Sequence, residues 1–194
     1  MQSAREAAAG HPRVVVLRAD PGMGRSRLLA DLRAGHLYGA YEVIPAEVPP
    51  EPDRAGAPFG TVAERAVFVL GRRDGKRLVE GIRRWGPGIL WLCPDLGAQE
   101  AWKAVRPRPT SDPRQVAEDL SGLLRDLASV APVLCTLDDL QNLDETGAAI
   151  LLHLLRALGG NLRLLLAMAA DQRPERSAHP FLRLAQEAER ARLW

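Results

Sequence analysis

Lysine is nearly absent from this chain. Of its 26 basic residues only Lys76 and Lys103 are lysines, and the other 24 are arginines. An arginine at a position where chemistry favours lysine can therefore reflect the composition of the genome. Cysteine is scarce too. Cys93 and Cys135 lie 42 positions apart in apolar runs, with no paired spacing that suits zinc and no signal peptide ahead of them. Buried, reduced thiols and a cytoplasmic setting are expected. No apolar run approaches the ~20 residues of a membrane helix, so no membrane contact is expected. Charge of one sign is missing as well: the formal net charge is +2, too small to argue for nucleic acid. None of His11, His36, His153 and His179 has a partner at metal-ligand spacing.

What is present suits one globular domain. A length of 194 residues, 46% hydrophobic and 26% charged, allows a substantial core. The short β-branched run Val14–Leu17 predicts a strand, which ends at a loop over Ala19–Arg25. A helix over Arg27–Leu32 follows, closing near Gly35. A second strand is expected at Tyr41–Ala46, before a proline-rich loop over Pro49–Pro58. Helices are expected at Thr61–Leu70 and Lys76–Trp85, with Gly71–Gly75 as a solvated turn, and at Arg114–Val130 after the loop Val105–Pro113. Trp85, Trp91 and Trp102 are expected to pack together among these helices.

Pro132–Asp139 then reads as a hydrophobic strand ending in two carboxylates. Asp144 suits the N-cap of a helix through Leu158, and Asn161–Ala170 is apolar enough for an interior strand. A last helix is expected at Pro180–Ala191. Strands alternating with helices imply an α/β fold with a parallel sheet.

The stretch Ala19-Asp-Pro-Gly-Met-Gly-Arg-Ser26 is close to the phosphate-loop pattern G-x-x-x-x-G-K-[ST]. It departs at both working positions, with Ala19 for the first glycine and Arg25 for the lysine. The chemistry still suits phosphate. Pro21 stiffens the turn, Gly22 and Gly24 let the backbone wrap closely, and the amides from Gly22 through Met23 and Arg25 to Ser26 open a helix that also carries Arg27. Ser26 and Asp138 could hold Mg²⁺, and Asp139 could polarise a water. A glycine-rich turn and a helix-capping Asp-Asp pair are the plainer alternatives for each piece taken alone.

The two segments "VVVLRADPGMGRSRLLADL" and "PVLCTLDDLQNLDETGAAILLHLLRAL" together resemble the STAND branch of AAA-type P-loop ATPases, found in large LuxR-type and SARP-type bacterial transcription regulators. "APFGTVAERAVFVLG" and "HPFLRLAQEAER" extend the resemblance over nearly the whole chain. It implies a P-loop NTPase three-layer sandwich of about five mostly parallel strands, the last one truncated, in a single module separated from lid and effector domains. It also implies ATP or ADP with Mg²⁺, and a switch whose nucleotide state controls domain packing. By position, Ser26 and Asp138 are metal-side residues, Asp139 is the hydrolytic acid, and Arg25 takes the phosphate-lysine position. The resemblance has departures beyond Ala19 and Arg25. Ala170-Asp171 stands where such proteins often carry a Tyr-Arg sensor, and Arg5-Glu6 lies too close to the loop to be the upstream adenine segment.

Three readings remain open at this point. The first is a nucleotide-binding regulatory module with weak or absent hydrolysis. The second is a scaffold that keeps the fold without ligand, with a protein partner or self-association as its business. A conventional ATPase with an arginine-tolerant loop is the third. No direct nucleic-acid contact is expected of the domain itself.

Overall fold

The computed structural model describes residues 2–35, 40–51, 54–107, 112–158 and 160–171. The expected helix at Pro180–Ala191 and the truncated fifth strand lie outside these residues. Four strands, β1 (Arg13–Ala19), β2 (Glu42–Glu47), β3 (Val133–Asp138) and β4 (Leu164–Asp171), form one parallel sheet in the order β1-β4-β3-β2. β3 and β4 are interior strands buried on both faces, which is why their sequences are apolar without alternation.

Helices cover both faces. On one face lie α1 (Gln2–Ala8) and α2 (Arg25–Ala34), meeting Leu134, Leu165, Ala167 and Ala169 through Ala4, Ala7 and Leu29. On the other lie α3 (Ala57–Arg73), α4 (Gly75–Leu92), α5 (Pro113–Val130) and α6 (Glu145–Ala157), packed on Cys135, Leu137, Leu166 and Met168. This is the three-layer arrangement of a P-loop NTPase. Burial pushes the Cys93 thiol up to about 11 and the Cys135 thiol up to about 12, so both stay protonated at neutral pH.

Several expected boundaries are corrected. α3 begins at Ala57, inside the expected proline-rich loop, because Pro58 suits the first turn of a helix. Gly71–Gly75 is not a turn: α3 continues to Arg73, and only Asp74 separates it from α4. Gly71 serves packing instead, since a Cβ there would lie 3.1 Å from Leu78 Cδ2. Asp74 caps α4 by accepting the Arg77 N–H at 2.9 Å, a bond that holds its carboxyl below the ordinary range. α1 has no counterpart in the sequence reading. Its Glu6 pairs with Arg13 at 2.5 Å, and its Ala4 carbonyl accepts the Tyr41 hydroxyl. The expected N-cap holds: Asp144 accepts the Gly147 N–H at 2.7 Å.

α4 also runs past the expected end at Trp85, through Pro87. Proline inside a helix cannot donate and disturbs the turn before it. Here the neighbouring α5 repairs the damage, because Asp119 accepts the Gly88 N–H at 2.8 Å. Two turns further along α5, Asp126 accepts Trp85 Nε1 and Arg84 Nη2, each at 2.8 Å. Trp85 and Trp102 are buried against each other with ring centres 6.0 Å apart, while Trp91 is half-buried. Gly81 and Gly88 leave room for these two carboxylates: a Cβ would lie 2.8 Å from Asp126 Oδ2 and 2.5 Å from Asp119 Oδ2 respectively. Gly88→Ala is expected to destabilise the protein by about 1–3 kcal/mol. Gly75→Ala, where a Cβ meets nothing within 4 Å, is expected to be neutral or slightly stabilising. Urea unfolding of the two variants side by side checks both.

β2 is an edge strand among the described residues. Glu42 N–H donates to Pro132 and Val48 N–H to Asp138, so the even-numbered residues of β2 bond toward β3. The odd-numbered Pro45 therefore faces the open edge, where its missing N–H blunts strand addition. Pro45→Val is expected to raise self-association, seen as a concentration-dependent mass by light scattering that the parent protein does not show.

Candidate functional site

A parallel strand places successive side chains on opposite faces. Leu134 and Thr136 of β3 face α2, and so does Asp138 at the strand's end. Leu165, Ala167 and Ala169 of β4 face the same way, which carries Asp171 to that side as well. β4 lies between β1 and β3, with Asp171 in register with Ala19. The loop after β1 and the acids after β3 and β4 thus gather at one end of the sheet, beneath the start of α2.

The loop itself keeps a phosphate-loop backbone. Gly22 and Gly24 adopt φ of 82° and 80°, the left-handed region that glycine enters without strain. Met23 N–H closes a turn on the Asp20 carbonyl at 3.2 Å, and Gly24 is the N-cap of α2. A Cβ at either glycine would meet nothing within 4 Å, so the concave side stands open. Pro21, Gly22, Met23 and Gly24 are exposed, and so are Ser26 and Arg27 in the first turn of α2. A helix start with free amides and a favourable dipole suits an anion.

Arg25 does not reach outward. Its side chain is only 12% exposed and Nη1 donates to the Ala19 carbonyl at 2.7 Å. The same nitrogen lies 3.7 Å from Oδ1 of Asp171, whose side chain is 9% exposed. The carbonyl bond is the tighter contact, and the carboxylate completes the charge balance. The cation in the phosphate-lysine position is thus engaged by the protein's own backbone and by an acid.

From Asp171 a chain of hydrogen bonds runs back to the expected acid pair. Asp171 N–H donates to Gln141 Oε1 at 3.0 Å, and Gln141 Nε2 donates to Asp139 Oδ1 at 2.7 Å. Asp139 N–H in turn donates to Asp138 Oδ1 at 2.9 Å. Asp139 has φ 57°, and is the one non-glycine residue with positive φ among those described. Aspartate tolerates this conformation better than most residues. Asp138 and Asp139 are both half-buried. Sequence reasoning brought Arg25, Asp138, Asp139 and Asp171 to one region. Gln141, the residue that connects them, has no role in the sequence reading, although it lies two residues after Asp139 in the second quoted segment.

Among the described residues, depressions lie on this surface and at its opposite end. One, of about 590 Å³, lies beside the loop and is lined by Arg18, Met23, Gly24, Arg25, Arg27 and Leu28. The other, of about 620 Å³, lies at β2 and includes none of the expected site residues. The chemistry points to the first. Among the described residues, no group of three or more His, Cys, Asp or Glu could hold a metal by itself. No described helix is long and apolar enough to cross a membrane.

These features agree with the relationship found by comparison. No curated protein matches the chain. A family model described as the AAA ATPase domain matches residues 2–167, a span that holds the loop, α2, the acids after β3 and the first half of β4. Such a domain suggests nucleotide binding, in keeping with the open glycine cradle. The chain belongs to the AAA ATPase domain family.

Proposed function

We propose that this domain binds ATP or ADP as a regulatory switch and hydrolyses it weakly or not at all. The observation that carries the reading is the inward turn of Arg25 onto Ala19 and Asp171. The amides of Gly22, Gly24, Arg25 and Ser26 still offer phosphate a donor set and a helix dipole. To reach a γ-phosphate, Arg25 would have to leave Asp171, and the released carboxylate would then face added negative charge. ADP brings less charge there than ATP, so the pair tilts the preference toward the diphosphate.

Ser26 and Asp138 are the residues that would hold Mg²⁺. When bound, the ion neutralises phosphate charge. Asp139 is the residue that would orient water, yet Gln141 already occupies its Oδ1. That engagement supports weak hydrolysis. The regulatory assignment, in a signalling or transcription-regulator protein, rests on the STAND-type resemblance of the two motif segments. A non-catalytic scaffold is the second reading, favoured by the same Arg25 contact, since the loop balances its own cation without a ligand.

Titration of fluorescent ATP and ADP analogues, with and without Mg²⁺, separates the two. Saturable binding with ADP at least as tight as ATP is expected, and no binding of either would establish the scaffold. Two unit charges at 4 Å interact by about 4 kcal/mol at an effective dielectric near 20, and a third of that is roughly a tenfold change in affinity. Asp171→Asn is therefore expected to shift preference toward ATP by about tenfold, more at low salt than at high salt. Arg25→Lys should also strengthen triphosphate binding, because a compact ammonium fits the glycine loop better than a planar guanidinium.

Asp139→Asn tests the role of the acid separately. Asparagine tolerates the left-handed backbone, so the variant should keep nucleotide affinity within about twofold while losing any residual phosphate release. A loss of affinity instead would assign Asp139 to the framework of the loop.

A further inference from the structure

We propose that the outer face of the α3–α4 hairpin is a docking surface for an acidic, amphipathic segment of a partner protein. Four large apolar side chains are strongly exposed among the described residues. Met23 and Leu28 flank the phosphate loop; the other two, Phe68 at 58% and Val79 at 53%, lie on this hairpin. Isolated exposed apolar residues are ordinary. These two are related by the fold. Phe68 precedes Asp74 by six residues and Val79 follows it by five, so the antiparallel helices bring both to one level.

Helical spacing surrounds the pair with positive charge. Arg65, Phe68 and Arg72 recur at i, i+3 and i+7 on α3, and Lys76, Val79 and Arg83 do the same on α4. All six are exposed. Between Ala57 and Leu92 seven basic residues stand against three acidic ones, a net of +4 in a chain whose total is +2. Three of the seven are committed elsewhere: Arg73 to Glu42, Arg77 to Asp74 and Arg84 to Asp126. Arg72 lies over the Phe68 ring at 5.8 Å, and Arg65, Lys76 and Arg83 make no hydrogen bond or ion pair among the described residues. Arg65 also lines the depression of about 620 Å³ at β2, together with Arg33 and Arg73, which extends the basic surface past α3.

Charge complementarity selects the occupant. Planar guanidinium groups bind carboxylates through paired hydrogen bonds, and an apolar pair between them suits a helix carrying both acidic and apolar side chains. A phosphate backbone fits less well. Exposed Glu64 and Glu80 interrupt the basic surface, and Phe68 and Val79 gain nothing from a uniform polyanion.

Fluorescence anisotropy with the full chain tests this. The probe is a labelled helical peptide of glutamate and leucine, compared with a polyglutamate peptide and a single-stranded oligonucleotide of equal charge. The Glu/Leu peptide should bind most tightly. Phe68→Ser should weaken it about tenfold, and Arg65→Glu with Arg72→Glu should weaken it further and flatten its salt dependence. Arg114→Glu, on the exposed side of α5, should leave it unchanged. Because these positions are exposed, retained circular dichroism is expected throughout. Absence of peptide binding, equal binding of polyglutamate or the oligonucleotide, or indifference to Phe68→Ser would each overturn the proposal. So would a self-association of the chain that Phe68→Ser abolishes, which would assign the face to a second copy.

Discussion

The register of β4 between β1 and β3 is the constraint on which the site depends. It sets Ala19 beside Asp171 and Leu137 beside Met168, so β1 and β4 end level while β3 ends two residues lower, and Gln141 after β3 reaches up to the Asp171 N–H. A slip of one residue would turn Asp171 to the α5–α6 face and bring an alanine beneath α2. The apolar run from Leu164 to Ala170 does not fix register by alternation, since both of its faces are buried. Registration comes instead from the two different neighbours and from the Gln141 side chain that accepts the Asp171 N–H. The hydrogen-bonded path from Asp138 to Asp171 therefore holds the sheet end together as well as shaping the site.

A second constraint governs the helical layer. The α4–α5 contact is built around two carboxylates, Asp119 and Asp126, set against glycines of α4. Buried acids are costly unless their oxygens are engaged. Asp126 takes the Trp85 indole and the Arg84 guanidinium, while Asp119 takes the backbone donor beside Pro87. Proline, glycine and acid form one packing solution, and α4 keeps its length because of it. That length matters to the surface beyond, since α4 carries Val79 and Arg83 alongside α3.

Much of this was legible in the sequence, and the failures have physical causes. β1, its loop, α2, β3 and the Asp144 cap follow from local chemistry: β-branched runs, left-handed glycines and a carboxylate that satisfies helix amides. Gly71 and Gly75 read as a turn, because glycine reads as a chain breaker whenever its neighbours in space are unknown. Gly71 is a contact with Leu78, and Pro87 is tolerated through Asp119. Both reasons are tertiary. The residues of the candidate site were legible by type, but their connections were not. Gln141 looked like an ordinary polar residue, and nothing local shows that its amide spans Asp139 and Asp171.

The exchange of lysine for arginine at position 25 can now be weighed against the composition of the chain. A genome that favours arginine accounts for the residue type. It does not account for the geometry, in which one guanidinium nitrogen reaches both the Ala19 carbonyl and the Asp171 carboxylate. Asp171 itself lies four residues beyond the matched span of the family, which ends at 167. An acid at that place repels an anion at the loop unless a nearby cation answers it. Arg25 answers it, with a planar group that has donors to spare after its bond to the backbone. Arg25 and Asp171 thus balance each other's charge. Beneath the loop, the pair sets one cation against one acid.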